Sequence, residues 1–265
     1  METYEWGLVL FTVLSQAAVG GFILTLWTRL RNKDAALDGI YRKVNLTLFA
    51  VSVVAMLASL FHLGRPLHAL NALGNLGSSW LSREILLAGG FVGLLFLSIL
   101  FDRKPGVRQA VDWLTALVGV GVVASTATVY SVTIVPQWQG YQTYVAFFGT
   151  AAFLGAALTA GLMLVFGHGA KAVAGNLQLL IRVAVVAVAI SAVASGLAGV
   201  YSPVLILRWA LALLGGLVPF LMAGRRLTAG QVPAGLVYAA VMFVLAGELV
   251  GRYLFYATGT PIGIG

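Results

Sequence analysis

Residues 143–166 read TYVAFFGTAAFLGAALTAGLMLVF, 24 positions without one charged side chain. A helix of that length runs about 36 Å at ~1.5 Å per residue, more than the ~30 Å hydrocarbon layer of a bilayer. Backbone N–H and C=O groups find no water in lipid, so such a run must bond within itself as a helix. The strands of a membrane barrel alternate in polarity over ~10 residues between turns, and this stretch does not.

Seven further apolar-dominated stretches flank it, at 6–28, 44–64, 81–101, 111–133, 177–200, 204–223 and 233–257. Of the 265 residues 60% are hydrophobic and 9% charged, against about 25% charged in a soluble domain. The expected fold is an all-α integral membrane protein, a bundle of eight transmembrane helices forming a single membrane domain over 1–265. No soluble catalytic domain has room. The absence of cysteine excludes thiolate metal sites, Fe–S clusters and disulfides within this chain. The net charge of +8 belongs to membrane loops, and no nucleic-acid partner is expected. Residues 1–5 carry Glu2 and Glu5 and no basic run, so the first span is read as a retained helix and not a cleaved leader.

Orientation follows from the cations. Arg29, Arg31, Lys33, Arg42, Lys43, Arg103, Lys104, Arg108, Lys171, Arg225 and Arg226 fall on loops after odd-numbered spans. Only Arg65, Arg83, Arg208 and Arg252 fall on the other side. The positive-inside rule then places the odd loops in the cytoplasm and both termini outside. Trp138, Tyr141, Tyr144, Tyr253 and Tyr256 read as an outer aromatic belt. Asp34, Asp38, Asp102 and Asp112 stand among the basic loops and read as solvated. Gly89 with Gly93, Ala157 with Gly161, and Gly247 with Gly251 are spaced four apart, as in close helix packing.

Ionisable groups at membrane depth are costly and therefore informative. His62 and Glu84 stand just inside the helix ends flanking the second outer loop, within FHLGRP (61–66) and SWLSRE (79–84). Gly64 and Pro66 break the helix beside His62. An imidazole and a carboxyl group at one depth, beside apolar Phe61, Leu63 and Trp80, suit a proton acceptor and its relay. The plainer reading pairs Glu84 with Arg83 or Arg65 and makes His62 a cap. Glu248 and Arg252 lie four apart on one helix face and read as an internal ion pair, with a proton relay as the sharper alternative. Tyr130, with Ser131 and Thr133, reads as a belt residue that can also offer a phenol to a carbonyl. Gln16 is polar within an apolar span and is expected to bond to a neighbouring helix.

A subunit carrying two b-type haems across the membrane needs four axial histidines, and this chain has three, His62, His68 and His168. No haem and no metal is expected, and no nucleotide fingerprint is present. Any redox role then uses a diffusible carrier, with electrons leaving to another polypeptide.

His62-Leu63-Gly64-x-Pro66, Ser82-x-Glu84, Val135-Pro136-x-Trp138 and Gly247-Glu248-Leu249-x-Gly251-Arg252 with Phe255-Tyr256 resemble, in order along the whole chain, the DmsC family. These are the membrane-anchor subunits of dimethyl sulfoxide reductase-type molybdoenzymes; the polysulfide reductase and NrfD-type anchors are a more distant likeness and the alternative reading. The resemblance implies an anchor in a bacterial or archaeal cytoplasmic membrane. It would oxidise menaquinol and pass electrons to an Fe–S subunit that feeds a molybdopterin catalytic subunit. The protein would not act on the terminal substrate but would carry the quinol oxidation step. His62 and Glu84 become the quinol-site pair, with Gly64 shaping the turn, Arg65 tuning the charge and Tyr130 touching the ring. The segment 68–72 departs from the family pattern, with histidine at 68 in place of arginine and leucine at 70 in place of an aromatic. A small-solute or ion transporter is the competing class. It calls for charged groups near the midplane, where only Glu248 approaches the interior.

Overall fold

The structure is a computed structural model that describes residues 4–60, 74–167, 173–197, 203–257 and 259. Among them eight helical passages are long and apolar enough to cross a membrane. They are α1 (Tyr4–Arg31), α2 (Asp38–Leu60), α3 (Trp80–Leu100), α4 (Pro105–Ser131), α5 (Tyr141–Phe166), α6 (Ala174–Leu197), a seventh built from α7 (Pro203–Ala210) and α8 (Val218–Thr228), and α9 (Ala234–Ala257). Trp6 meets Tyr253 with ring centroids 5.5 Å apart, so the start of α1 and the end of α9 lie at one end of the bundle.

Several boundaries fall where local chemistry puts them and not where the apolar runs stop. Pro105 occupies the first turn of α4, where its missing N–H costs nothing, so α4 starts six residues before the apolar run at 111. In the seventh passage α7 and α8 are joined by a π-helical turn, Leu211–Leu217, in which the Val218 N–H reaches the Leu213 carbonyl five residues back. Pro219 explains it. A proline cannot donate to the carbonyl four residues back and crowds it, and one widened turn absorbs the misfit.

The most enclosed helices are α1 and α5. They cross so closely at Gly20 and Gly155 that a Cβ on Gly20 would fall onto the Ala151 carbonyl, and one on Gly155 would come within 2.6 Å of the Gly20 backbone. Helices α2, α3 and α4 pack on one side of this pair, and α6 through α9 on the other. The glycine spacings fare unevenly. A Cβ on Gly161 would come within 3.1 Å of Val241 and one on Gly247 within 3.3 Å of the Arg208 carbonyl, but at Gly89 and Gly93 it would meet open space.

At the end carrying the basic loops, Asp34 and Asp38 are exposed as expected, but the reading of Asp102 and Asp112 as solvated needs correction. Asp112 is 3% exposed. It accepts from the Ser98 hydroxyl at 2.5 Å and lies 3.6 Å from Arg108 Nε. Arg29 binds Asp38 at 2.8 Å and Asp102 at 3.0 Å. Helices α1, α2, α3 and α4 converge here, and their ends bury charges that a sequence scan leaves in the loops.

Candidate functional site

The site builds from the first turns of α3. Ser79 caps this helix by accepting from the Ser82 N–H at 3.3 Å, which sets the register of the turns beyond it. Glu84, Ala88, Phe91 and Leu95 then recur on one buried face, the spacing of a helix stripe. Glu84 is 5% exposed. Its Oε1 accepts from the Thr126 hydroxyl of α4 at 2.6 Å.

Arg83 turns the other way. It donates to the Leu76 and Gly77 carbonyls at 2.9 and 2.8 Å and stacks its guanidinium 4.3 Å from the Trp80 ring. Arg83 therefore does not neutralise Glu84, and among the described residues no cation forms an ion pair with it. His62, Gly64 and Arg65 lie outside the described residues.

One turn beyond Thr126 on the same face of α4 stands Tyr130. It is not a belt residue, as its ring packs inward against Trp138, Phe147, Phe255 and Tyr256, with centroids 5.3 to 5.8 Å away. The Tyr256 hydroxyl donates to the Tyr130 hydroxyl at 3.0 Å and lies 3.4 Å from the Thr12 hydroxyl of α1. Trp138 also leaves the belt. It stacks on Phe255 at 5.3 Å and donates its indole N–H to the Phe255 carbonyl at 2.7 Å, which ties the α4–α5 loop to the end of α9.

Below this aromatic cap lies a second polar group. The expected ion pair between Glu248 and Arg252 is not formed among the described residues. Glu248 instead lies 3.7 Å from Arg208 of α7 and accepts from Thr150 at 2.6 Å. Arg252 donates to Gln16 of α1 at 2.7 Å, lies 3.4 Å from the Thr150 hydroxyl, and sits 3.7 Å over the Phe147 ring. A spacing of four puts two side chains on one face, but their partners come from whichever helices pack there. Gly251 is the reason Arg208 reaches in, since a Cβ at that position would collide with the Arg208 guanidinium. Gln16 bonds to a neighbouring helix, as its place in an apolar span indicates.

Thr126, Thr150 and Arg208 escape a reading of the sequence. Threonine is ordinary in membrane helices, and Arg208 counts there among the cations of the loops. One available signal was register: Thr126 and Tyr130 are four apart, on one face.

Taken together, a buried carboxyl group held by one hydroxyl, beside a hydrogen-bonded tyrosine pair in an aromatic cluster, can take up or release a proton next to a flat apolar ligand. A family model described as "DMSO reductase anchor subunit (DmsC)" matches residues 1–258. The protein is 30% identical to an anaerobic dimethyl sulfoxide reductase chain of Escherichia coli K12, over 98% of its own length and 97% of that relative's. A Haemophilus influenzae protein of the same description is also 30% identical, and the Escherichia coli anaerobic dimethyl sulfoxide reductase chain YnfH 31%, each with the same coverage.

Proposed function

The chain belongs to the DMSO reductase anchor subunit family, DmsC, and on that premise we propose that it is the quinol-oxidising membrane anchor of a molybdopterin oxidoreductase complex. Its electrons go to an Fe–S subunit and from there to the catalytic subunit. The observation that carries the reading is Glu84, buried near one end of the bundle with Thr126 as its hydrogen-bond partner and no cation against it among the described residues. A structural carboxylate at membrane depth is ordinarily neutralised by a cation. One held by a hydroxyl alone is free to exchange a proton with a ligand.

Oxidising a quinol removes two protons and two electrons. Neutral His62, two positions after Leu60 in the sequence, accepts a hydrogen bond and a proton from one ring hydroxyl. Glu84 passes the proton to water at the near face of the membrane, and the proton of the second ring hydroxyl leaves by the same pair once the first has been released. Gly64 gives the turn after His62 its shape, Arg65 tunes the charge of the pair, and Tyr130 supports the ring from α4. Menaquinol fits as the diffusible donor, since the ring is flat and apolar on both faces and carries a hydroxyl at each end. The excess of cations on the odd loops puts this end outside the cytoplasm, so the Fe–S subunit docks on the outer side. The membrane is the bacterial cytoplasmic membrane.

Two variants of the intact complex test the reading. His62→Ala and Glu84→Gln abolish quinol-dependent turnover, while assembly and activity with an artificial dye persist. Unchanged quinol kinetics in both variants remove the assignment.

A further inference from the structure

Three arginines at the basic-loop end stand apart from the charge cluster of α1 to α4. Between Asp112 and Glu248 the sequence holds no carboxyl side chain, and Glu248 is engaged with Arg208 and Thr150. Arg182 of α6 and Arg225 and Arg226 of α8 are exposed, and among the described residues their side chains form no hydrogen bond and no ion pair. Arg29 and Arg108, by contrast, meet aspartates. One half of this end neutralises its own charges, and the other half leaves its cations unanswered among the described residues.

Packing sets two of these cations at one level. A Cβ on Gly224 would lie 3.7 Å from the Ile181 side chain, so Arg182 and Arg225, each the next residue along its helix, stand at a similar depth on either side of the α6–α8 seam. Ile181 and Ala223 are buried, and about 100° of helical turn per residue carries both arginines to the outward face. By sequence Arg182 falls inside the sixth apolar run, but its level is that of the last turn of α8, where a membrane helix leaves hydrocarbon for headgroups. Toward the bilayer midplane the same outward faces become apolar, with Val186 and Ile190 on α6 and Val218 and Leu221 on α8 exposed by 43 to 57%.

We propose that this seam binds an anionic phospholipid, its phosphate held by Arg182 and Arg225 and its acyl chains lying along Val186, Ile190, Val218 and Leu221. A guanidinium beside hydrocarbon is costly without an anion, and it pairs with phosphate oxygens through two parallel hydrogen bonds. Basic pockets between membrane helices take lipid headgroups in this way. Two cations facing one phosphate leave a positive excess. A headgroup with an ammonium of its own is therefore disfavoured, and one with net negative charge is preferred.

The test uses the assembled complex in lipid nanodiscs and phosphatidylglycerol carrying a photoactivatable acyl chain. Crosslinks fall on α6 and α8. Unlabelled phosphatidylglycerol displaces them, and phosphatidylcholine does so about tenfold less well. Arg182→Gln with Arg225→Gln lowers this labelling about tenfold, whereas Arg182→Lys with Arg225→Lys retains most of it. Arg31→Gln with Arg103→Gln, which removes two exposed cations from the α1–α4 half of the same end, leaves it within about twofold. Equal loss in the two glutamine pairs reduces the effect to diffuse surface attraction and overturns the site. So does equal displacement by the two lipids, or labelling that the Arg182→Gln and Arg225→Gln pair leaves unchanged. Loss of complex assembly in that pair with labelling retained assigns the arginines to a partner subunit and likewise overturns it.

Discussion

The two ends of the bundle handle buried carboxyl groups in opposite ways. At the basic-loop end Asp102 and Asp112 are enclosed by Arg29, Arg108 and Ser98, so charge answers charge and the cluster fastens α1, α2, α3 and α4 together. At the opposite end, Glu84 is buried as deeply as Asp112 but meets a hydroxyl, and the neighbouring groups are phenols and aromatic rings. Buried charge is expensive in either place. Where oppositely charged side chains offset the cost, the arrangement is architectural. Where they do not, the carboxyl group is left to react with something that arrives. Glu248 falls between the two, within ion-pair distance of Arg208 and hydrogen-bonded to Thr150, and on this comparison it belongs to the architecture.

The contrast can be broken at four points, in descending order of effect. Glu84→Gln keeps the shape and removes the exchangeable proton. Quinol-dependent turnover in the complex drops about 1,000-fold, the scale of a lost general acid–base group, while thermal stability moves by less than about 1 kcal/mol. Arg29→Met does the reverse. It takes the cation from exposed Asp38 and leaves Asp102 with Arg108 alone, costing about 2 kcal/mol of stability, read as a lowered melting temperature, with the ratio of quinol-linked to dye-linked activity unchanged. A quinol-specific defect in Arg29→Met would erase the distinction between the two ends. Thr126→Val removes the hydroxyl that orients Glu84 and slows quinol turnover about tenfold, or about 1.4 kcal/mol, with no change in dye-linked rate. Tyr256→Phe deletes one hydrogen bond to Tyr130, lowers stability by about 1 kcal/mol and leaves quinol turnover within about twofold of the parent.

Part of this site is plain in the sequence and part is not. Glu84 stands out because a carboxyl group just inside an apolar run breaks the local pattern. Thr126 does not, because its hydroxyl matters only through the carboxyl group of another helix. Tyr130 and Trp138 read as belt residues since belts are where such rings usually lie, yet their rings turn inward because Phe147 and Phe255 offer aromatic partners there. The Glu248–Arg252 spacing is correct as register and wrong as pairing. Helix geometry places both side chains on one face, but Arg208 and Gln16, brought in by α7 and α1, take them as partners.

The apolar runs alone settle the number of crossings and their helical character, because hydrocarbon leaves a backbone no other way to satisfy its hydrogen bonds. The ordered motifs, from the HLGxP stretch to Gly247–Arg252, likewise suffice to place the protein in its family. Contacts between helices are another matter. Which charges are answered and which carboxyl group is left with a hydroxyl depend on side chains distant in sequence meeting at a few ångströms. That is decided by packing, where one glycine or one proline shifts which groups touch.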